Sequence, residues 1–155
     1  MNLHLLETRV PPPVLALTIG LLMWLAVRFW PLPEMPIPYR GPLALALALA
    51  GFAFTMAGIV PFRRARTTVN PLRPASASTL VTSGVYRVTR NPMYVGLLMV
   101  LLAWVVYLAV PWLLLGPLFF VLYMARFQIV PEEPALAKLF GEAYLAYQRR
   151  VRRWL

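Results

Sequence analysis

Cysteine is absent from the 155 residues, and histidine occurs once, as His4 near the start. The first absence removes disulfides, iron–sulfur clusters and thiolate zinc sites from consideration. The second leaves no material within one chain for a histidine metal site or a histidine-based triad, so no metal is expected. Aspartate is missing too; five glutamates stand against fifteen basic residues, for a net charge of +10. Charged residues make up only 13% of the chain, where a soluble domain carries about 25%. No G-x-G-x-x-G and no Walker A run is present, which excludes a Rossmann or P-loop nucleotide site.

What is abundant is apolar. Hydrophobic residues account for 61% of the chain and come in long blocks, so lipid is the expected surrounding. A basic excess in a soluble protein would suggest nucleic acid. Here no stretch interleaves basic and aromatic residues on a polar surface, so no nucleic-acid partner is expected. The excess reads instead as membrane topology and contact with anionic headgroups. The length suits one domain, taken as 1–155. The first apolar block follows Glu7, Arg9 and Pro11-Pro12-Pro13 and has no small-residue cleavage site before Pro31. It therefore reads as a retained span rather than a signal peptide.

Four blocks, about 13–30, 41–62, 93–109 and 111–130, approach the ~20 residues a helix needs to cross a bilayer. Backbone exposed to lipid must satisfy its own hydrogen bonds, so each is expected to be helical. Only Val110-Pro111 separates the third from the fourth, which forces an antiparallel hairpin. The connection over 63–92 holds Arg63, Arg64, Arg66, Arg73, Arg87 and Arg90 and no acid. By the positive-inside rule it is cytoplasmic, and four spans then place both termini in the cytoplasm. After Pro131, Leu136, Leu139, Phe140, Ala143, Tyr144, Tyr147 and Val151 recur at helical spacing, with Lys138, Glu142, Arg149 and Arg152 largely on another face. This predicts an amphipathic helix over 132–154. The expected fold is thus an all-α integral membrane protein of four transmembrane helices and a C-terminal amphipathic helix.

Polar residues gather at one membrane face, where the tight hairpin makes the ends of spans three and four neighbours. Asn91-Pro92 suits a helix start, with Asn as cap and Pro in the first turn. The same helix start, beside Arg90, suits a carboxylate or phosphate. Tyr86 and Tyr94 can offer ring faces or hydroxyls, or serve as interfacial anchors. Glu132-Glu133 can cap the tail helix or bind a cationic or hydroxyl-bearing ligand. Arg126 can snorkel to the interface, pair with those acids, or hold an anionic substrate group. Leu80 and Val81 can wall an adenine.

"LVTSGVYRVTRNPMYVG", residues 80–96, resembles the "LVxxGxYxxxRHPxYxG" signature of the isoprenylcysteine carboxyl methyltransferase family, much of it shared by the phospholipid methyltransferases. "PEEPALAKLFGEAYLAYQRRV", residues 131–151, is similar to the acidic pair and "FGxxYxxYxxxV" that follow in that family. The resemblance covers roughly residues 63–154. It implies a small integral membrane enzyme that uses S-adenosylmethionine at the cytoplasmic face on a lipophilic or lipidated substrate. Cofactor contacts are implied at Leu80, Val81, Tyr86, Asn91, Pro92, Met93, Tyr94 and Glu132, flanked by Ser78 and Thr79. The chain departs from the pattern at Asn91, where the signature has His, at Ser78, and at Gln128, where the eukaryotic enzymes carry an Arg. Arg126 and Gln128 are the candidates for the substrate side. No catalytic base is named, because methyl transfer needs alignment and desolvation more than a strong base. A bacterial or archaeal inner membrane is the expected location. A reductase of the membrane sterol type and a non-enzymatic membrane scaffold or lipid-binding protein are the rival readings.

Overall fold

A computed structural model describes residues 10–30, 33–64 and 79–155. His4, Ser78, Arg66 and Arg73 lie outside them. The described residues form helices and no strand; one isolated bridge pairs Thr89 with Arg152. The helices are α1 (Pro12–Phe29), α2 (Arg40–Arg64), α3 (Pro92–Leu108), α4 (Leu115–Tyr123), α5 (Val130–Phe140) and α6 (Glu142–Arg150). A 3₁₀ turn over Gly84–Arg87 precedes α3, and another over Pro111–Leu114 leads into α4.

Three helical runs are long and apolar enough to cross a membrane by length and composition: Pro12–Phe29, Arg40–Phe62 and Pro111–Phe140. The third expected span is the shorter apolar helix Pro92–Leu108. Large apolar side chains point outward on these runs, Leu17 at 74% exposure and Leu45 at 61% among them. A surface that apolar requires an apolar neighbour.

Helix α3 is the hub. It lies antiparallel to α2, with Gly96 against Gly51 and Pro92-Met93 against Gly58. The contact is close because the residues are small. A Cβ on Gly96 would run into Thr55 Oγ1 and stand 2.5 Å from the Gly51 carbonyl oxygen. Such small-residue seams are how helices approach in lipid, where no hydrophobic force separates them from the solvent. On its other side α3 meets α1, and Trp104 Nε1 donates to the Gly20 carbonyl at 3.0 Å. The hairpin into α4 is as tight as expected. Ala109 caps α3 in the left-handed region at φ 56°, and its carbonyl accepts from Met35 N at 2.7 Å.

Two features differ from expectation. The helix that starts at α4 does not stop at Pro131. It passes through a π-helical turn over Met124–Ile129 and runs on to Phe140. A proline ring normally clashes with the carbonyl four residues back. A wide π turn just before it moves that carbonyl away, so the helix survives Pro131. Glu132 is therefore carried on the same rod as the fourth apolar block, and does not begin a new helix. The second difference lies at Gly141, whose φ of 55° breaks the expected 132–154 helix into α5 and α6. Apolar spacing continues across that glycine, but the backbone turns there. α6 ends at Arg150, Val151 is extended, and Arg152 bridges to Thr89.

Candidate functional site

A cleft opens where α2 ends, α3 begins and α5 and α6 meet. Its walls are Phe62, Thr79, Leu80, Val81, Tyr86, Arg90, Asn91, Ile129, Glu132, Glu133, Leu136, Phe140, Tyr144 and Tyr147. The cleft holds about 530 Å³ of empty space, its open mouth included.

Its floor is built around one carboxylate. Gln128 and Glu132 are one turn apart on the same helical face, as i,i+4 pairs are. Gln128 Nε2 donates to Glu132 Oε1 at 2.6 Å. Tyr94, in the first turn of α3, donates its hydroxyl to the same oxygen at 3.0 Å. Tyr94, Gln128 and Glu132 are all buried. Burying a carboxylate is costly unless it is hydrogen-bonded, and the two donors meet that cost on one oxygen. This fixes the carboxylate's plane at the cleft.

Phenols build another part of the wall. Tyr86 donates to the Gly58 carbonyl at 3.3 Å, and Tyr147 donates to the Tyr86 carbonyl at 2.7 Å. Burial raises the pKa of both phenols well above the ordinary tyrosine value, so they remain donors. Phe62 meets the Tyr86 ring edge-on, with centroids 5.5 Å apart. Leu136, Phe140, Tyr144 and Tyr147 pack with Phe62 and Tyr86 to complete this wall.

The rim is held by the segment after α6. Arg90 N donates to the Arg152 carbonyl at 2.9 Å, Thr89 Oγ1 to the Arg153 carbonyl at 3.0 Å, and Asn91 Nδ2 to that same carbonyl at 2.9 Å. Asn91 stands at the helix cap position, but its side chain makes no capping bond to α3. It ties two distant stretches together instead. Arg153 grips Glu133 with both arms, Nε to Oε1 at 2.8 Å and Nη2 to Oε2 at 2.6 Å. Trp154 packs beneath, against the core.

Of the residues expected to contact a cofactor, Leu80, Val81, Tyr86, Asn91 and Glu132 line the cleft. Tyr94 reaches it through Glu132. Pro92 and Met93 are turned toward α2 at Gly58 and do not line it. The two substrate-side candidates part company. Gln128 is buried against Glu132, whereas Arg126 is exposed beside the Phe127 ring, 5.4 Å from its centroid. Arg90 and Glu133, noted in the sequence as groups that could meet an anion and a cation, line the cleft; Phe62, Leu136, Phe140, Tyr144 and Tyr147 line it without having been singled out as contacts. For three of these the signal was present in the sequence: the "FGxxYxxY" block supplies Phe140, Tyr144 and Tyr147. Among the described residues no cluster of His, Cys, Asp and Glu is arranged to hold a metal.

A protein of Haemophilus influenzae, described only as uncharacterized, is 44% identical over 63 residues, which is 41% of this chain and all of that protein. No solved structure matches the chain significantly. The family model for phospholipid methyltransferase matches residues 39–143. That match starts ahead of the stretch over which the signature motifs were noted, taking in the whole of α2. Because it runs from the head of α2 through α3 to the far side of the cleft, the chain belongs to the phospholipid methyltransferase family.

Proposed function

We propose that the chain is a four-span integral membrane methyltransferase that uses S-adenosylmethionine on a lipophilic acceptor. The acceptor classes are a lipid headgroup, a prenylcysteine-like carboxylate, a thiol or an amine. The observation that carries this reading is Glu132: a buried carboxylate with one oxygen locked by Tyr94 and Gln128, set in a cleft of aromatic and aliphatic walls.

The residues present fit the cofactor. Leu80 and Val81 suit an adenine, with Phe62 and Phe140 on the same cleft wall, and Glu132 suits the ammonium or the ribose diol. Ligand pockets usually measure about 300–1,000 Å³, and the cleft, at about 530 Å³ with its mouth, falls in that range. When bound, S-adenosylmethionine supplies a methyl group on a positively charged sulfur, which a lone pair on the acceptor displaces as the carbon–sulfur pair leaves with sulfur. The chain's own part is alignment and water exclusion. Tyr94 and Gln128 keep Glu132 in one orientation, and the Tyr86–Tyr147 wall keeps the far side apolar up to its buried phenols. No side chain is assigned as a base.

The spans are α1, α2, α3 and the rod from Pro111, with α3 accommodated by tilt or by its interfacial tyrosine. Both termini are cytoplasmic, and the cleft faces the cytoplasm, where the arginines of 63–92 belong. A bacterial or archaeal inner membrane is the location this reading expects.

The test is ligand titration in detergent combined with a transfer assay. Wild-type protein binds S-adenosylhomocysteine and moves label from methyl-labelled cofactor into a component of a total lipid extract. Glu132→Gln lowers the affinity at least tenfold, about 1.4 kcal/mol, with helix content unchanged. Equal binding by wild type and variant would instead support a scaffold, and binding of NADPH alone would support a reductase.

A further inference from the structure

A second concavity lies between α1 and α2, in the half of the bundle away from the cleft. Both helices pack on α3 but hardly on each other, so a groove runs between them with α3 beneath it. It holds about 1620 Å³ of empty space, its open side included. Its floor is made of small residues, Gly20, Ala44, Ala48 and Ala103, and Ala44 and Ala103 are buried. Its edges are long aliphatic side chains, Leu17, Leu21 and Leu45, each more than half exposed. Trp104 spends its Nε1 on the Gly20 carbonyl and stacks on Tyr107, with centroids 5.3 Å apart. The indole has no further hydrogen bond to offer, so it presents only its apolar ring to the groove.

Length and ends decide what fills such a groove. Along α1 the lining runs from Pro13 to Trp24, ~16 Å at the rise of an α-helix. That is close to half of the ~30 Å hydrocarbon core, or one leaflet. On α2 and α3 the lining stops at Ala48 and Leu97, where Gly51 and Gly96 bring the two helices together. A membrane-crossing helix needs about twice that length. A second copy related by a two-fold axis would set groove against groove and leave both floors bare. A single acyl chain ending at the bilayer midplane meets neither obstacle. At the outer end Trp24 and Tyr107 are about half exposed, at the level where such rings sit beside headgroups. Next to Gly41 at that end, Arg40 pairs with Glu34 at 2.8 Å, both side chains about half exposed. Exposed pairs hold weakly, and these two charges complement the phosphate and ammonium of a zwitterionic headgroup.

We propose that the groove seats one acyl chain of a zwitterionic phospholipid, in the leaflet opposite the cleft. The lipid supplies the packing that α1 and α2 do not give each other, and braces both against α3. Such a seat depends on α1, α2 and α3 crossing the bilayer and not on the chemistry of the cleft.

The experiment purifies the full chain in mild detergent and counts retained phospholipid by native mass spectrometry. The protein is then stripped of lipid and titrated with dimyristoyl or dioctanoyl phosphatidylethanolamine while its thermal midpoint is followed. Wild type is expected to retain one phospholipid per chain. The longer-chain lipid raises the stripped midpoint by several degrees, and the shorter one raises it less. Gly20→Leu places a side chain in open groove space, since a Cβ there has its nearest neighbour, Trp104, at 4.0 Å. This variant loses the retained lipid and needs at least tenfold more of the longer lipid for the same shift. Leu45→Trp, at an exposed edge, gives the same result if Gly20→Leu fails to fold. Lipid retention unchanged in the variants overturns the seat, as does a wild-type midpoint that ignores both lipids or rises equally with each. A wild-type dimer that Gly20→Leu splits into monomers also overturns it, and makes the groove a helix-docking face instead.

Discussion

Single side chains in this cleft act through the groups they hold. Tyr147 lines the cleft and donates to the backbone carbonyl of Tyr86, and so fixes the ring that forms the wall. Tyr147→Phe keeps the ring volume and leaves that buried carbonyl short of a donor. The expected cost is about 1–2 kcal/mol, read as a lower thermal midpoint in detergent with helix content intact. Arg126 and Gln128 show why neighbours in sequence diverge in role. Met124, Gln128, Ile129 and Glu132 all face inward, while Arg126 does not. The i,i+4 relation of Gln128 to Glu132 was open to view in the sequence. Which of 126 and 128 turns inward was not, because the π turn resets the angular step on which face assignments depend.

At the scale of elements, apolar blocks and the short Val110-Pro111 link reveal the helices and the hairpin, since a lipid-facing chain has few alternatives. Breaks set by backbone sign are harder to see. Hydrophobic period runs straight across Gly141, yet its positive φ ends α5. Prolines mislead in the other direction: "PEEP" reads as a fresh start, and a wide turn lets the helix pass. The α2–α3 seam supplies the prediction at this scale. Gly96→Ala places a methyl inside Thr55 and against the Gly51 carbonyl, and overpacking of this kind costs about 1–3 kcal/mol. A control is available in Gly20→Ala, whose added methyl has its nearest neighbour 4.0 Å away at Trp104. The expected outcome is a clearly lowered thermal midpoint for the first and little change for the second; equal midpoints would mean the helices are not in close contact there.

For the whole molecule, charge sets orientation. The arginines between α2 and α3 and those near the end of the chain fall on the same side when four helices cross. A reporter fused after Leu155 is therefore expected in the cytoplasm, assayed by paired alkaline phosphatase and fluorescent-protein fusions; phosphatase activity would refute the four-span reading. The same arginines did not disclose their second role in the sequence. Arg152 and Arg153 tie down the head of α3 through main-chain carbonyls, an interaction any residue type can supply and no composition reveals.

That tie also has a bearing on biosynthesis. Thr89, Arg90 and Asn91 leave the ribosome some sixty residues before the carbonyls they bind. Helices α1 to α3 can insert as they are made, each satisfied within itself. The rim around Arg90 has to wait until residue 153 has been translated. A polypeptide stalled before residue 153 would hold helices α1 to α3 without the ties that join this rim to residues 152 and 153.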